Sequence, residues 1–517
     1  MSLHELMGKR IKLEYRGDCA YAYEITSSYD KRIKNTRYAK RYLGTYENGQ
    51  IVRKKTALPK RSLDYGEIVP FIQIIEALPV RKILDTFLPK NKVETLLTLA
   101  INRLVHPVAM NNIQTWYQGT YLTKLYGDLP LASQTLSNFL AQIGDSSLHM
   151  DFSGQFIKEY GNGQSLLYDI TSLSSTSTLI DLLEFGYNRD NDFLPQMNLS
   201  LIANKDLGVP LFYDVYPGSI VDVTTLKNTI LKLNAFGLTN PTMILDRGFF
   251  SATNIVELLD HPYDFILPAT FALKAVKTLV SRESHRIEKP ECLQKYNGDP
   301  LFVKDVQLDV GDRHVDGFLF YDLGREKDQK TTFYNHLHQV VELLEKRFLR
   351  SWEKPGKVFD DISGKFGSYL RWKVHDGRFQ ITVRAKSVAQ RVNRMGFTVI
   401  LYRGGYYWED VLGWYRERDM IEKMFRMLKR DLEATPLRVQ KTETARGWLF
   451  VTFLALILRT RLMNLMTKCG LIGNYSLSSL LLELQKLKMI ELADGSSMIT
   501  ERTKKQKDII KNLELKV

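Results

Sequence analysis

Residues 165–267 alternate between short apolar runs and helix-like segments, in an order that few folds can accommodate. Short apolar runs bounded by turn residues predict strands, whereas apolar residues three and four positions apart predict helices. The pattern predicts, in order, strands at 165–171, 198–203 and 209–216, a helix at 223–236, a strand at 242–245, a helix at 251–259 and a strand at 263–267. This order predicts a mixed α/β sheet, and it is compatible with a ribonuclease-H-like fold.

The same pattern resumes much later in the chain. An apolar strand is predicted at 397–402 and a helix from Asp410 to about Glu433. Between them, residues 271–395 contain alternating segments and one long charged helix, which predicts an inserted, strand-rich subdomain. The α/β domain is therefore expected at 160–270 and 396–465.

The two ends of the chain differ from this central part. Residues 1–62 are basic and predicted to be strand-rich, and residues 466–517 are predicted to be a helical tail. Residues 63–150 have helical periodicity, and Ser133 is a plausible N-cap for a helix that carries Leu136 and Leu140 on one face. Such short helices fit either a helix-turn-helix that reads a DNA groove or a purely structural domain.

Positive charge is concentrated near the start. The net charge is +14 with a pI near 9.3, and residues 8–61 contain fifteen lysine and arginine residues against five acidic ones. Tyrosines are interleaved with these cations. Basic side chains beside aromatic rings suit contacts with phosphates and bases. The segment is therefore expected to contact DNA, with a solvated hairpin surface as the alternative.

Cysteine usage and hydropathy limit the class of protein. The three cysteines, Cys19, Cys292 and Cys469, lie far apart, so a disulfide framework and a zinc site are not expected. The most apolar stretch, Gly447 to Leu458, is shorter than the roughly 20 residues that span a bilayer, which predicts a buried core helix. The start lacks an apolar run of the signal-peptide type. A cytoplasmic, nucleoid-associated protein without a membrane partner is therefore expected.

Residues 414–429 carry the clearest chemical pattern. At about 100° per residue, one narrow stripe of this helix holds Tyr415, Arg418, Glu422 and Lys429, while the methionine and leucine side chains lie opposite. Mg²⁺ prefers hard oxygen ligands such as a carboxylate, and arginine and lysine bind phosphates. The stripe therefore suits metal-dependent phosphoryl transfer. The alternative is a solvated helix face with Glu–Arg and Glu–Lys pairs.

The spacing Tyr415-x2-Arg418-x3-Glu422-x6-Lys429 resembles the Tyr-Arg-Glu-Lys signature of a large group of bacterial insertion-sequence DDE transposases, the insertion-sequence-four-like group. The likeness extends to segments upstream of the signature. These are Leu167-Tyr168-Asp169-Ile170-Thr171-Ser172-Leu173, Phe185-Gly186-Tyr187-Asn188-Arg189-Asp190, Val215-Tyr216-Pro217-Gly218-Ser219, Asp222-Val223-Thr224-Thr225-Leu226 and Ile244-Leu245-Asp246-Arg247-Gly248. Together they cover roughly residues 165–270 and 397–460.

The resemblance implies a ribonuclease-H-like transposase that cuts DNA at element ends and joins them to target DNA. It implies catalytic, metal-binding carboxylates at Asp169, Asp246 and Glu422, and DNA- or phosphate-binding roles for Tyr415, Arg418 and Lys429. It also implies two Mg²⁺ or Mn²⁺ ions in each active site, about 4 Å apart. The implied partners are double-stranded DNA, as terminal inverted repeats and target, and a second copy of the chain in a synaptic complex.

Three alternatives remain open from the residues alone. Asp169 could cap a turn, and Asp246 could cap the following helix through Gly248 and Ser251. The protein could be a domesticated, non-catalytic DNA-binding protein, which the three carboxylates argue against. It could also be a nuclease of the same fold that cuts without joining.

Overall fold

A computed structural model of the protein describes residues 10–16, 19–30, 35–47, 50–52, 58–160, 165–186, 194–220, 222–238, 240–310, 312–434 and 439–517. Parts of the basic segment 8–61, and the loop residues Tyr187 to Asp190 that carry part of the resemblance, lie outside these ranges. The described residues fall into two units: the first is Met1–Tyr65 with Leu487–Arg502, and the second is Gly66–Lys486 with Thr503–Val517.

The strands are numbered along the chain. They are β1 (Ile11–Arg16), β2 (Cys19–Asp30), β3 (Asn35–Glu47), β4 (Gln50–Val52), β5 (Pro59–Asp64), β6 (Ser165–Ser174), β7 (Gln196–Asn204), β8 (Val209–Pro217), β9 (Thr242–Leu245), β10 (Asp264–Pro268), β11 (Leu293–Tyr296), β12 (Asp299–Val310), β13 (Arg313–Asp322), β14 (Leu370–His375), β15 (Arg378–Val383), β16 (Phe397–Arg403), β17 (Lys488–Leu492) and β18 (Ser497–Ile499).

The helices are numbered in the same way. They are α1 (Val69–Ala77), α2 (Val80–Phe87), α3 (Lys90–Val105), α4 (Ile113–Gln118), α5 (Leu122–Tyr126), α6 (Ser133–Asp145), α7 (Leu148–Tyr160), α8 (Asp222–Ala235), α9 (Ala252–Asp260), α10 (Lys274–Glu283), α11 (Leu323–Lys346), α12 (Pro355–Ser363), α13 (Ala385–Val392), α14 (Trp408–Glu417), α15 (Asp419–Arg426), α16 (Thr442–Lys468), α17 (Leu477–Gln485) and α18 (Lys504–Asn512).

The first unit contains two small sheets. Strands β1 to β4 pair antiparallel in chain order, with Ala22 and Ile51 buried on one side of the sheet. In the second sheet β17 lies between β5 and β18, and the Arg61 guanidinium forms an ion pair with Glu491. The structure here differs from the sequence expectation, since part of the tail 466–517 forms strands. The reason is a pairing partner more than 420 residues earlier in the chain, with Lys488 opposite Asp64.

The second unit is built on a large sheet. In the described part of the chain its strand order is β11-β12-β13-β16-β10-β9-β6-β7-β8. Strands β6, β9 and β10 run parallel to one another, whereas β6, β7 and β8 form an antiparallel meander. Every residue of β6 and β7 is buried, because the centre of a sheet covered on both faces has no polar side. The mixed α/β sheet predicted from residues 165–267 is confirmed.

Helix α16 lies at the centre of a helical layer. Among the described residues it is the one helix long and apolar enough to cross a membrane, and 78% of its most apolar window is buried within the protein. Helices α1, α3 and α6 pack against it. The stretch Gly447 to Leu458 is therefore a core helix, as predicted. Helices α1 to α7 belong to the same unit as the large sheet, so the region 63–150, expected to be a domain of its own, does not separate from that sheet.

Helix α6 was the candidate groove reader, and its apolar face is occupied by α16. Leu136, Leu140 and Ile143 are buried. Ser133 is the first residue of the helix rather than its N-cap, which is Ala132 and forms no side-chain capping bond. Any role of α6 in DNA contact would therefore use its outer face, where Gln134, Asn138 and Gln142 are exposed.

Helices α6 and α16 approach most closely at two glycines. A Cβ atom built on Gly447 would lie 2.0 Å from the carbonyl oxygen of Leu140, and one on Gly144 would lie 1.8 Å from that of Glu443. These separations are far inside van der Waals contact, and both neighbours are backbone atoms. The helices can cross this closely only because neither residue carries a side chain.

We expect Gly447→Ala to destabilise the protein. Helix propensity alone favours alanine by about 1 kcal/mol, but overpacking of a close contact costs about 1–3 kcal/mol or more. The net effect is a lower melting temperature, measured by thermal denaturation. The matched control is Gly473→Ala, where an added Cβ meets no atom within 4 Å. Melting of Gly447→Ala at or above the wild-type temperature would show that the two helices do not need this crossing.

The region predicted as one insertion, 271–395, has two parts. Strands β11, β12 and β13 extend the large sheet, because β13 pairs antiparallel with β16 over residues Gly317 to Tyr321. Residues from α11 to α13 form a separate cluster with its own apolar core, which includes Phe333, Leu344 and Phe359. Only this second part forms an inserted subdomain, and we refer to residues 323–395 as the insert.

Candidate active site at the strand ends

Two of the predicted carboxylates lie on neighbouring parallel strands. In the register of β6 and β9, Tyr168 is opposite Leu245, so Asp169 and Asp246 occupy equivalent positions one residue further along. Adjacent strands are about 4.8 Å apart. Parallel strands end at the same edge of a sheet, which places both aspartates on the side where β9 ends.

The two aspartates differ in their surroundings. Asp169 is 9% exposed, and its Oδ1 accepts a hydrogen bond of 2.8 Å from the backbone N–H of Ile170. Asp246 follows the last residue of β9 and precedes a short 3₁₀ turn, and its side chain forms no capping bond to that turn. Ser251 caps α9 instead, accepting from the N–H of Asn254 at 3.1 Å. The capping alternative for Asp246 therefore does not hold, and its carboxylate points to another partner.

The third carboxylate is carried by a helix that packs against β6. The predicted helix is interrupted at Arg418, which separates α14 from α15 but retains right-handed helical backbone angles, with φ −53° and ψ −26°. The buried residues of α15 are Ile421, Met424 and Phe425. Ile421 and Met424 lie on the face that the apolar spacing predicted, whereas Phe425 lies outside it. Glu422 lies on the exposed face. A π-helical turn follows, Met427–Asp431, and contains Lys429 as a half-buried residue.

Tyr406 fixes the start of this helical segment to the sheet. Its hydroxyl donates to Oδ2 of Asp264 at 2.8 Å and lies 2.6 Å from the hydroxyl of Thr242, while its ring packs on Trp414 at 5.0 Å between centroids. Burial raises the pKa of Tyr406 to about 12, so the hydroxyl keeps its proton at neutral pH. The anchor determines where α14, and α15 after it, lie over the strand ends.

Arg418 contacts two of the three predicted carboxylates, Asp246 and Glu422. One of its guanidinium nitrogens, Nη1, forms an ion pair with Oδ1 of Asp246, and Nη2 lies 2.8 Å from Oε1 of Glu422. The guanidinium also lies over the ring of Tyr415, 5.5 Å from its centroid. The structure thus brings Tyr415, Arg418, Glu422 and Asp246 into one cluster. A solvated helix face would explain the Arg418–Glu422 ion pair. It does not explain the ion pair of Arg418 with Asp246, which follows a strand 172 residues earlier in the chain.

In this structure the side chains of Asp169, Asp246 and Glu422 are not arranged as a metal-binding group. In the ranges that the structure describes, no set of three or more His, Cys, Asp and Glu side chains is arranged to hold a metal ion. Asp246 and Glu422 nevertheless converge on one cationic centre, the Arg418 guanidinium, and Asp169 lies on the neighbouring strand. Carboxylate oxygens are the donors that Mg²⁺ and Mn²⁺ prefer. The donor set fits a divalent ion, with Arg418 acting as the counter-charge in this structure.

Sequence reasoning missed a buried polar group near the end of β6, where Asn198 is opposite Ser172. Asn198 on β7 donates from Nδ2 to the carbonyl oxygen of Ile220 at 2.9 Å, and Ser172 of β6 is fully buried next to it. The backbone N–H of Ser219 donates to the Glu184 carboxylate at 3.2 Å. These bonds hold the loop after β8 against β7 and against the segment around Glu184. The signal in the sequence was the run of small polar residues that ends β6.

Two glycines of the resembling loops meet at the same edge. A Cβ on Gly186 would lie 2.1 Å from the carbonyl oxygen of Gly218, and one on Gly218 would lie 2.1 Å from that of Gln196. The segments around Gly186 and Gly218, which are far apart in sequence, therefore touch backbone to backbone. Larger residues at either position would push the loops away from the strand ends.

The second unit is thus a mixed α/β sheet with acidic and basic side chains at the ends of parallel strands, the place where open α/β sheets commonly bind ligands. The family model for the transposase DDE domain matches residues 166–458, more than half of the chain. The protein belongs to this family and is a DDE transposase.

The fold is similar, with a TM-score of 0.38 and 9% identity, to that of piggyBac transposase in a cryo-EM structure of its synaptic complex with hairpin DNA. This similarity covers 81% of the present chain and 79% of the other. A search of curated protein sequences found no match.

Proposed function

We propose that this transposase cuts DNA at the ends of its element and transfers the cut strands into target DNA, with Asp169, Asp246 and Glu422 as the catalytic, metal-binding carboxylates. The observation that carries the proposal is the convergence of Asp246 and Glu422 on Arg418, beside the strand that holds Asp169. The strand order β8-β7-β6-β9-β10 supports a ribonuclease-H-like core. The cluster of Tyr415, Arg418 and Glu422 supports membership of the Tyr-Arg-Glu-Lys group.

The three carboxylates would hold two divalent ions, Mg²⁺ or Mn²⁺. When bound, such ions activate the attacking oxygen and stabilise the leaving oxygen of an in-line displacement at phosphorus. Asp169 and Asp246 would contribute from fixed strand positions, so their carboxylates need little reorganisation. Glu422 would contribute from α15, whose position is set by packing on β6.

The basic side chains would bind the DNA phosphates. The Arg418 guanidinium can form two parallel hydrogen bonds to a phosphate once Asp246 and Glu422 have another counter-charge. Lys429 would supply a further positive charge one turn beyond α15. The Tyr415 ring, which now supports Arg418, can donate its hydroxyl to a phosphate or stack on a base. These residues would orient the scissile phosphate over the carboxylates.

The basic sheet of the first unit is proposed as a second DNA contact. One face of β2 and β3 carries Tyr21, Tyr23 and Tyr42, with ring centroids 5.5–6.3 Å apart, and Lys40 lies over Tyr23 at 5.9 Å. Tyr38 is 67% exposed further along this ribbon. Aromatic rings between cations suit nucleic acid. The partners would be duplex DNA with terminal inverted repeats, target DNA, and a second copy of the chain in a synaptic complex.

A strand-transfer assay tests the proposed function. Purified protein is incubated with Mg²⁺, a labelled duplex that ends in the element's own inverted repeat, and a supercoiled target plasmid. We expect cleavage at the repeat and labelled strands joined to the plasmid, and neither product when EDTA replaces Mg²⁺. Cleavage without joined products would identify a nuclease, and DNA binding with neither product would identify a non-catalytic DNA-binding protein.

A further inference from the structure

The insert carries a second concentration of positive charge. Residues 346–395 contain thirteen lysine and arginine residues against four aspartate and glutamate residues, a net charge of +9 in fifty residues. The whole chain has a net charge of +14. The net charge of this segment is therefore close to that of residues 8–61. None of its residues belongs to the candidate active site.

Few of these cations are neutralised by neighbours. Lys346 pairs with Glu342, and Arg347 pairs with Glu353. Within the described residues, which include the whole insert, the other eleven have no carboxylate within 4 Å. Like charges held together without counter-charges repel each other, so this surface gains stability when a polyanion binds it.

The strands β14 and β15 present part of this charge on one flat face. They pair antiparallel from Leu370 opposite Val383 to His375 opposite Arg378. Successive side chains of a strand point to opposite faces. Leu370 and Phe379 are buried on the inner face, where Trp372 packs between Phe359 and Phe379 at 5.6 Å from each ring.

The outer face of this ribbon is polar and basic. All of its side chains are exposed: Arg371, Lys373, His375, Arg378, Gln380 and Thr382. The acid in the hairpin is Asp376 at the turn, 3.0 Å from His375. The face thus combines cations that suit phosphates or guanine with an amide and a hydroxyl that suit base edges.

We propose that the ribbon β14–β15 binds duplex DNA by entering the major groove with this outer face. The major groove is about 12 Å wide and accepts a two-stranded ribbon, and two paired strands are about 4.8 Å apart. Leu370 and Phe379 on the inner face pack into the apolar core of the insert, which fixes the ribbon to that core. This inference rests on the proposed function, since it adds a contact for the same DNA substrate.

The test uses the full-length protein and a triple variant, Arg371→Gln, Lys373→Gln and Arg378→Gln. Its charge-matched control is Lys504→Gln, Lys505→Gln and Lys507→Gln on α18, where all three lysines are exposed. Affinity for a duplex with the terminal repeat is measured by fluorescence anisotropy between 50 and 200 mM salt. Each lost phosphate contact lowers the salt slope by about 0.9, so we expect a slope smaller by about 2–3. The corresponding loss of affinity for the ribbon variant is about 10- to 100-fold at 0.1 M salt.

The groove is tested separately by methylation protection, because the N7 atom of guanine faces the major groove. We expect wild-type protein to protect particular guanines, and the single variant Arg378→Gln to lose protection at one of them. An equal loss of affinity in the α18 control would overturn the proposal, because net charge alone would explain it. Two further results would overturn the proposal. One is N7 protection that is unchanged in both the triple variant and Arg378→Gln, and the other is tighter binding of wild-type protein to single-stranded than to duplex DNA.

The readouts distinguish this proposal from the proposed function. All side chains changed are exposed, so the melting temperature of the ribbon variant should equal that of wild type. At saturating DNA and Mg²⁺, cleavage by the ribbon variant should remain within about threefold of wild type, because phosphate contacts of this kind position the substrate without entering the chemical step. If wild-type protein binds and cuts DNA and the ribbon variant binds with the same affinity, the result contradicts only the proposal that the ribbon binds DNA. Wild-type protein that neither binds nor cuts would contradict the proposed function.

Discussion

Asp169→Asn, Asp246→Asn and Glu422→Gln should each lower the rate of cleavage at the element's ends by about 10³-fold or more. A bound divalent ion stabilises the charge of the transition state by several kcal/mol, and each 1.36 kcal/mol corresponds to a tenfold change in rate. Removing one carboxylate ligand forfeits most of that stabilisation. The rate is measured in single turnovers on a repeat-ended duplex with saturating Mg²⁺.

Binding of DNA should survive these substitutions. Removing a negative charge beside phosphates lowers repulsion, so affinity for the repeat should be unchanged or slightly higher. Matched controls are Asp260→Asn, an exposed side chain paired with Arg313, and Asp419→Asn, an exposed side chain on α15 paired with Lys423 at 2.7 Å. Both controls should cut at the wild-type rate. A catalytic-site variant that cuts at that rate with Mg²⁺ would remove its residue from the set of ligands.

Arg418→Gln should separate metal binding from catalysis. In the structure the guanidinium is the counter-charge of Asp246 and Glu422, so a divalent ion must displace it. Hydrogen bonds to charged groups contribute about 1.5–3 kcal/mol. Without this competition the affinity for Mg²⁺ or Mn²⁺, measured by calorimetry in the absence of DNA, should rise by about tenfold or more.

The same variant should be a poor enzyme. Once displaced, Arg418 is proposed to hold the phosphate as its negative charge grows, and loss of one such donor costs about 10²–10³ in rate. The control is Arg416→Gln on the same helical segment, whose guanidinium lies over Tyr296 at 4.6 Å and pairs with Asp322, which is not one of the three proposed ligands. It should leave both metal affinity and rate unchanged. Weaker metal binding by Arg418→Gln would show that the arginine supports the carboxylates instead of competing with the ion.

The sequence determined the local elements of the catalytic unit. Strand β9 was predicted at its observed bounds, and helix α9 was predicted to within one residue at each end. The burial of Ile421 and Met424 on α15 followed from the spacing of the apolar residues. These features depend on periodicity and capping within a few residues, and that information lies in the neighbouring sequence.

The tertiary structure alone decided which distant segments meet. Strand β17 pairs with β5, so residues 466–517 are not the purely helical tail that their local pattern predicted. Helix α6 crosses α16 at two glycines, so residues 63–150 do not form the separate domain that their local pattern predicted. The contact of Arg418 with Asp246 could likewise not be predicted from the helical stripe in residues 414–429. That pattern concerns one helical segment, whereas Asp246 lies at the end of a distant strand. Contacts between residues hundreds of positions apart depend on how whole faces pack. The residue types that the resemblance selected came from the sequence, and the contact of Arg418 with Asp246 came from that packing.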